Sequence, residues 1–331
     1  MVEQRKSSLE KKFSFGNIMV EGSIGVFLAV FIFSMILAFT TDGFLTSRNM
    51  FSTSRAFSMW IIVGFAQMMA LTIGHLNLSV GAIGGLAAVT VGWLFQDFNA
   101  PIWITVLTAL GVGAACGAFN GILITLTGIH AFIITLGTSS VFLGLNYGLT
   151  KAEPFSTVPD AFDLIGRGRI FDVIPFLFPV MIIVAVALWF MYRHTVIGRR
   201  ILAVGGNEDA AVLSGIDSKK IKILVHTLSG LIAGLAGVLF VGRLGAAHPT
   251  IGQNWLLISF AIPVIGGTTL EGGTTSIPGV VFGGILMTLL QTGLVLLEVN
   301  IFLEQFFMGI LLLIAVSVDR IRAVYSAKRY T

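Results

Sequence analysis

Residues 193–220 read RHTVIGRRILAVGGNEDAAVLSGIDSKK, the longest strongly charged interval in a chain that is otherwise almost wholly apolar. Lipid cannot solvate such a stretch, so it must face water, and the sequence around it must explain why. On both sides the chain is greasy: 56% of its residues are hydrophobic and only 11% charged, where soluble proteins average roughly 25% charged. Apolar runs of about 20 residues, each long enough for a hydrocarbon core of about 30 Å, recur from end to end. The fold class is therefore all-α, a polytopic membrane protein. Barrel strands would show short alternating segments instead of continuous runs.

Spans are expected near 22–41, 57–73, 78–96, 101–126, 130–150, 174–192, 221–242, 256–270, 274–297 and 300–318, about ten in all. Charge gives a separate check. The N-terminal tail holds Arg5, Lys6, Lys11 and Lys12. The central interval and its edge hold Arg193, Arg199, Arg200, Lys219, Lys220 and Lys222, and the C-terminal tail holds Arg320, Arg322, Lys328 and Arg329. These are fourteen of the 20 lysines and arginines. An even number of spans separates each group from the next, so all three fall on one side, which the positive-inside rule makes the cytoplasm. Both termini are thus expected inside. The first apolar run, from Ser23 to Phe39, is too long for a signal-peptide core and reads as an anchored span. Spans 2–5 begin outside and spans 7–10 begin inside, an arrangement compatible with an inverted repeat. The glycine-rich breaks of the two halves do not align in register.

The outside segments are 151–172, with Glu153, Pro154, Pro159, Asp160, Asp163, Arg167 and Arg169, and Gly242 to Trp255, with Arg243, His248 and Pro249. Each reads either as a solvated loop or as a docking surface for an extracellular partner. Three places interrupt the apolar pattern: Gly74-His75-Leu76-Asn77-Leu78-Ser79-Val80-Gly81, the stretch from Pro263 to Gly273, and Gly137-Thr138-Ser139-Ser140 in the fifth span. Irregular backbone at membrane depth survives only where protein buries it or water reaches it, and in transporters it often marks the permeation path.

No Asp, Glu, Lys or Arg falls in the middle of any expected span, which disfavours a secondary transporter driven by ions. No Gly-x-x-x-x-Gly-Lys-Ser/Thr loop is present, so nucleotide chemistry must come from a partner. The five histidines show no metal spacing, and no nucleophile–base pair supports an intramembrane enzyme. Neither cofactor, metal nor catalytic residue is expected. The net charge of +4 is spread over loops and speaks to topology, not to nucleic acid. Cys116, the only cysteine, lies among Gly113, Ala114, Ala115 and Gly117 and reads as a small packing residue.

The polar residues left within or between spans are Gln67, His75, Asn77, Ser79, Asn120, Thr135, Asn146 and Gln291. All can be uncharged and can give and take hydrogen bonds, which suits a neutral, hydroxyl-rich solute. The competing reading of each is an interhelical hydrogen bond, worth on average about 0.6 kcal/mol in a membrane.

In the central interval, Asn207 can cap a short helix that begins at Glu208 and Asp209, where the helix dipole favours anions, and Gly215 supplies a stop. Such a helix is marginal alone in water. Ala210, Ala211, Val212 and Leu213 would stabilise it by docking, either in a partner's groove or on this chain's own spans.

Gly198-Arg199-Arg200 followed by the run from Ala203 to Ile216 resembles the cytoplasmic loop of ribose-type ABC transporter permeases, the monosaccharide branch of a group that includes branched-chain amino-acid permeases. Asn77-Leu78-Ser79-Val80-Gly81, Gly117-Ala118-Phe119-Asn120-Gly121, Phe132-Ile133-Ile134-Thr135-Leu136-Gly137 and Ile265 to Gly273 agree in the same order, from about residue 20 to 320. The resemblance implies one permease domain over 1–331 in a bacterial inner membrane, with 193–220 as its coupling loop. It implies three partners: a second permease subunit, identical or paralogous; an ATPase with two fused nucleotide-binding domains; and a periplasmic sugar-binding protein. Gly205, Gly206, Asn207, Glu208, Asp209, Ala210, Ala211 and Gly215 would form the ATPase contact. The cargo would be a small neutral sugar or polyol, or another solute such as a signalling furanone, a nucleoside or an amino acid. Two positions depart from the family pattern. Asn77 stands where an aspartate is usual, and His130-Ala131 stands where proline commonly precedes the Phe-Ile-x-Thr-Leu-Gly run.

Overall fold

The computed structural model describes residues 15–170 and 174–299, together with 303, 305–310, 313 and 317. The chain is helical throughout its apolar runs: α1 (Phe15–Thr40), α2 (Ser47–Leu71), α3 (Val80–Phe98), α4 (Ile102–Thr127), α5 (Ala131–Thr150), α6 (Asp160–Arg167), α7 (Leu177–His194), α8 (Val196–Gly206), α9 (Glu208–Leu213), α10 (Ser218–Leu244), α11 (Trp255–Ile265) and α12 (Ile277–Leu296). Eight of these are long and apolar enough to cross a membrane, and α11 is a shorter apolar helix. The polytopic helical fold is as expected. The tenth expected span, 300–318, lies mostly outside the described residues, as do residues 1–14 and 318–331 of the basic tails.

The helices sort into an inner group and a lipid-facing ring. In the most apolar windows of α2 and α3, 72% of residues are buried inside the chain, against 11% for α1 and 22% for α5. The long α10 packs most extensively on α4, and also on α3 and α2. Its crossing with α4 is a glycine contact. A Cβ added at Gly117 would lie 2.1 Å from the His226 carbonyl oxygen, and one at Gly230 would lie 2.2 Å from that of Gly113. Only bare backbone lets two helices approach this closely in lipid. Cys116 is buried beside this contact.

Four sequence expectations are corrected. The second span starts at Ser47, not 57: Thr46 caps it by accepting the Asn49 N–H at 3.4 Å. Arg48 and Arg55 therefore ride on its outer turns, which are too polar for a hydropathy window to include. The helix of the eighth expected span, α11, ends at Ile265, not 270, two residues past Pro263, and irregular backbone continues to Ser276. The fifth span is not interrupted at 137–140. Thr138 Oγ1 donates to the Thr135 carbonyl at 3.3 Å, so the polar side chain is satisfied within the helix and no unwinding is needed. The central loop holds two helices, α8 and α9, instead of one.

At the end of the helices expected to face outward, segment 151–172 contains α6 and, with the residues after it, a two-residue antiparallel ladder of β1 (Arg169–Ile170) and β2 (Ile174–Pro175). A bridge between Phe155 and Ala247 ties this segment to the 245–254 loop.

Candidate functional site

The break between α2 and α3 is where the structure gathers most of the polar residues singled out from the sequence. Asn77 sits at its centre, only 1% exposed. Its Oδ1 accepts from the Ser79 N–H at 3.1 Å and from Ser79 Oγ at 2.7 Å, and its Nδ2 donates to Ser229 Oγ at 3.0 Å. Ser229 Oγ, on α10, donates in turn to the Ala66 carbonyl at 2.7 Å. From α4, Asn120 Nδ2 donates to Ser79 Oγ at 2.7 Å. From α5, Thr135 Oγ1 accepts the Leu78 N–H at 3.1 Å and lies 3.1 Å from the Leu76 carbonyl. With its amide turned to serve both groups, Gln67 donates to the Asn77 carbonyl at 2.8 Å and accepts from the Asn77 N–H at 3.2 Å.

These bonds make physical sense as a set. Unwound backbone in lipid leaves N–H and C=O groups that cost several kcal/mol each if unpaired, on the order of the transfer penalty for a bare amide. Here side chains from α2 and α5 serve those groups, while Asn120 of α4 and Ser229 of α10 serve the side chains of Ser79 and Asn77. Gln67, Ser79, Asn120 and Thr135 are all fully buried. In the state described, the network is sealed inside the chain.

His75, also in the break, is partly exposed. Its Nδ1 is 3.0 Å from Nε2 of the fully buried His226 on α10. The other two candidates stand elsewhere. Asn146, on the outer half of α5, donates to the Pro249 carbonyl at 3.2 Å. Gln291 is on the outer half of α12, with Nε2 3.9 Å from Met308 Sδ. Ser229 and His226 escaped the sequence reading, because a serine or histidine in an apolar span signals nothing until its long-range partner is known.

The central loop sits directly below the break. Thr195 caps α8 by accepting the Gly198 N–H at 3.1 Å. Asn207 caps α9 as the sequence suggested, accepting the Ala210 N–H at 2.9 Å, and Gly215 takes φ +81° just past its end. Glu208 forms an ion pair with Lys222 of α10 at 2.6 Å. Partial burial pushes the Glu208 carboxyl up, but hydrogen bonds from Lys222 and Ser218 and the Lys222 charge outweigh it and hold the group below its ordinary value. Ala211 is buried against the chain, whereas Leu213 is 89% exposed and Val212 50%. Arg199, Arg200, Asp209, Lys219 and Lys220 surround this tip and are also exposed. The result is a charged surface with an apolar point.

The outer face is built differently. The Arg169 guanidinium stacks 4.2 Å from the Phe51 ring centroid, and that of Arg55 is 5.8 Å from the same ring. Arg167 pairs with Asp163 at 3.0 Å and donates to the Leu244 carbonyl at 3.2 Å. Arg243 Nη1 lies 3.7 Å from Met59 Sδ. Both outside segments and the first turns of α2 thus form one arginine-rich surface. No group of three or more His, Cys, Asp or Glu able to hold a metal occurs among the described residues.

Residues 49–316 match the family model described as branched-chain amino acid transport system / permease component. Among characterised proteins, the chain is 34% identical over 298 residues to the D-allose transport system permease protein AlsC of Escherichia coli K12, covering 89% of this chain and 90% of that one. It is 34% identical over 322 residues to the ribose import permease protein RbsC of Bacillus subtilis, covering 97% and 99%. It is 36% identical over 300 residues to RbsC of Escherichia coli K12, covering 88% and 92%. No solved structure matches. A buried, neutral polar break, a capped polar tip beside it and this breadth of similarity agree: the chain belongs to the branched-chain amino acid transport system / permease component family.

Proposed function

We propose that this chain is the membrane-spanning subunit of an ATP-driven importer for a small neutral sugar or polyol. It works in a bacterial inner membrane with both termini in the cytoplasm, as one of two permease subunits. A periplasmic binding protein delivers solute to the outer arginine-rich face. An ATPase with two nucleotide-binding domains docks at the coupling loop, and alternating access carries the solute inward. The observation that carries this reading is α9: a capped helix tethered by Glu208 to Lys222, with Leu213 projecting into water beside a cluster of charges. An apolar residue so exposed on a short ordered helix is suited to insertion in a partner's groove.

Relatives named for allose and ribose support a monosaccharide as cargo. The family description names branched-chain amino acids, so an amino acid is the second reading. Residues Gln67, His75, Asn77, Ser79, Asn120 and Thr135 line the solute path only if the break opens in another state of the cycle, since all but His75 are sealed in the state described. A cysteine at 77 that reacts with a small polar maleimide in one nucleotide state would support that role. Protection in every state leaves the network a purely structural staple.

The decisive test is assembly and transport together. Leu213→Asp is expected to weaken ATPase association by about a hundredfold, the loss typical of one interface hot spot, without reducing membrane insertion. Undiminished association would remove α9 as the docking point. A binding screen of the cognate periplasmic protein against sugars, polyols and amino acids then names the cargo. Retention of leucine and no sugar would favour the second reading.

A further inference from the structure

Three segments far apart in sequence converge on one oxygen atom, the carbonyl of Thr72. Thr72 closes the C-terminal end of α2, where the last carbonyls of any helix lack intrahelical partners. The Gly273 N–H, from the irregular stretch after α11, donates to this carbonyl at 2.9 Å. The last turn of α8 also abuts it: a Cβ added at Gly205 would lie 1.9 Å from the Thr72 oxygen and 2.7 Å from the Gly273 nitrogen. Around that point the contact continues through backbone. A Cβ at Gly273 would meet Gly206 Cα at 2.7 Å, and one at Gly272 would meet the Gly74 nitrogen at 2.6 Å and the Gly205 oxygen at 2.9 Å. Gly74, Gly272 and Gly273 have φ of +71°, +90° and +78°. Tyr192 of α7 fixes the side chain of the same residue, donating from its hydroxyl to Thr72 Oγ1 at 3.2 Å.

We infer that Gly205, Thr72 and Gly273 join the coupling loop to both membrane breaks as one rigid piece, so that motion of α9 is delivered to the two breaks together. This rests on the transport reading above and adds to it the receiving end of the coupling. The physical reason is the nature of the contact. A lever that touches its load through long side chains loses small displacements to rotamer changes. Here backbone touches backbone, with no side chain between, and close-packed contacts transmit sub-ångström shifts instead of absorbing them. The load consists of unwound segments, the parts of a transporter that can swivel. Thr72 and Gly273 are therefore positioning residues: they need touch neither solute nor ATPase.

The test uses the permease assembled with its ATPase and binding protein in vesicles. The readout is labelling by a small polar maleimide of Leu78→Cys, a half-buried site in the first break, with and without ATP. Gly273→Ala, at a residue outside the loop expected to meet the ATPase, places a methyl group 2.7 Å from Gly206 Cα at φ +78° and must part the junction. It is expected to leave ATPase association and hydrolysis in place while reducing the ATP-dependent labelling change about tenfold, at the upper end of couplings measured along packed networks. Gly111→Ala, on α4 where an added Cβ meets nothing within 4 Å, is the control and should leave the labelling change intact. A Gly273→Ala complex that assembles and labels as the parent does overturns the inference. It leaves the docking reading untouched, because that is scored by association alone.

A second measurement needs no variant. In hydrogen–deuterium exchange of the parent complex, the Gly273 amide should stay protected with and without ATP. Exchange of that amide in either state would show the segments separating during the cycle, and would overturn the rigid junction even if Gly273→Ala failed to insert.

Discussion

The inner and outer ends of this molecule handle polarity in opposite ways. At the inner end, Gln67, Asn77, Ser79, Asn120, Thr135 and Ser229 are neutral, buried and bonded to one another or to backbone, and the segments beside them meet glycine to glycine. At the outer end, Arg55, Arg167, Arg169 and Arg243 share a partly exposed surface, where Arg167 pairs with Asp163. The inner end spends its polar groups on holding an irregular backbone in one shape. The outer end keeps charge available at a surface. One arrangement suits a mechanism that must not deform, the other a partner that must arrive and leave.

Three experiments test that contrast. The largest effect should come from the inner end. Asn77→Ala removes acceptor and donor together and strands Ser79 and Ser229, so the solubilised chain should lose about 1–3 kcal/mol, read as a lower unfolding midpoint. A loss no greater than the membrane average of about 0.6 kcal/mol would mean that water or rearrangement replaces the network, and the inner end would not be rigid. At the outer end, Arg243→Ala should slow association of the binding protein about tenfold at low salt, with the deficit shrinking as salt rises. An equal deficit at all salt concentrations would make Arg243 a packing residue, and the two ends would be alike. The smallest effect concerns Glu208, where inner rigidity reaches the solvent. Its folded value lies below the ordinary 4.5, so the tether to Lys222 contributes above that pH and is lost as pH falls through the folded value. The pair is partly exposed, so a double-mutant cycle with Glu208→Gln and Lys222→Met should give about 0.2–1 kcal/mol at neutral pH and none at pH well below 4.5.

How much of this could be read from the chain follows from the range of the signals. Hydropathy located the long spans because twenty apolar residues in a row have few other uses, and α9 was legible because an Asn207 cap, an acidic first turn and Gly215 are all local. The start of α2 was not, since the stretch Ser47-Arg48-Asn49 to Ser54-Arg55 is polar and its helicity is decided by the outer loops that pack on it. Gly137-Thr138-Ser139-Ser140 misled because a hydroxyl that bonds its own helix looks the same in sequence as one that lines a break. The grouping of Gln67, Asn77, Asn120 and Thr135 could be suspected as polarity but not as contact. Ser229, His226 and the Thr72 junction were invisible, since each depends on which helices cross, and glycine records a close approach without saying to what.

The exposed tip of α9 also bears on the life of the subunit before it works. On the transport reading, a copy that has inserted but not yet found an ATPase shows Leu213 and Val212 to water, on a short helix held by a side-chain cap and by Glu208 to α10. An apolar point on a loosely held element is what chaperones and proteases engage, and small differences in such opening change abundance several-fold. Docking would hide the same residues. The surface that receives the engine would then also report its absence, so that surplus permease is cleared and subunits accumulate only in matched numbers; the half-life of the chain with and without its ATPase measures this directly.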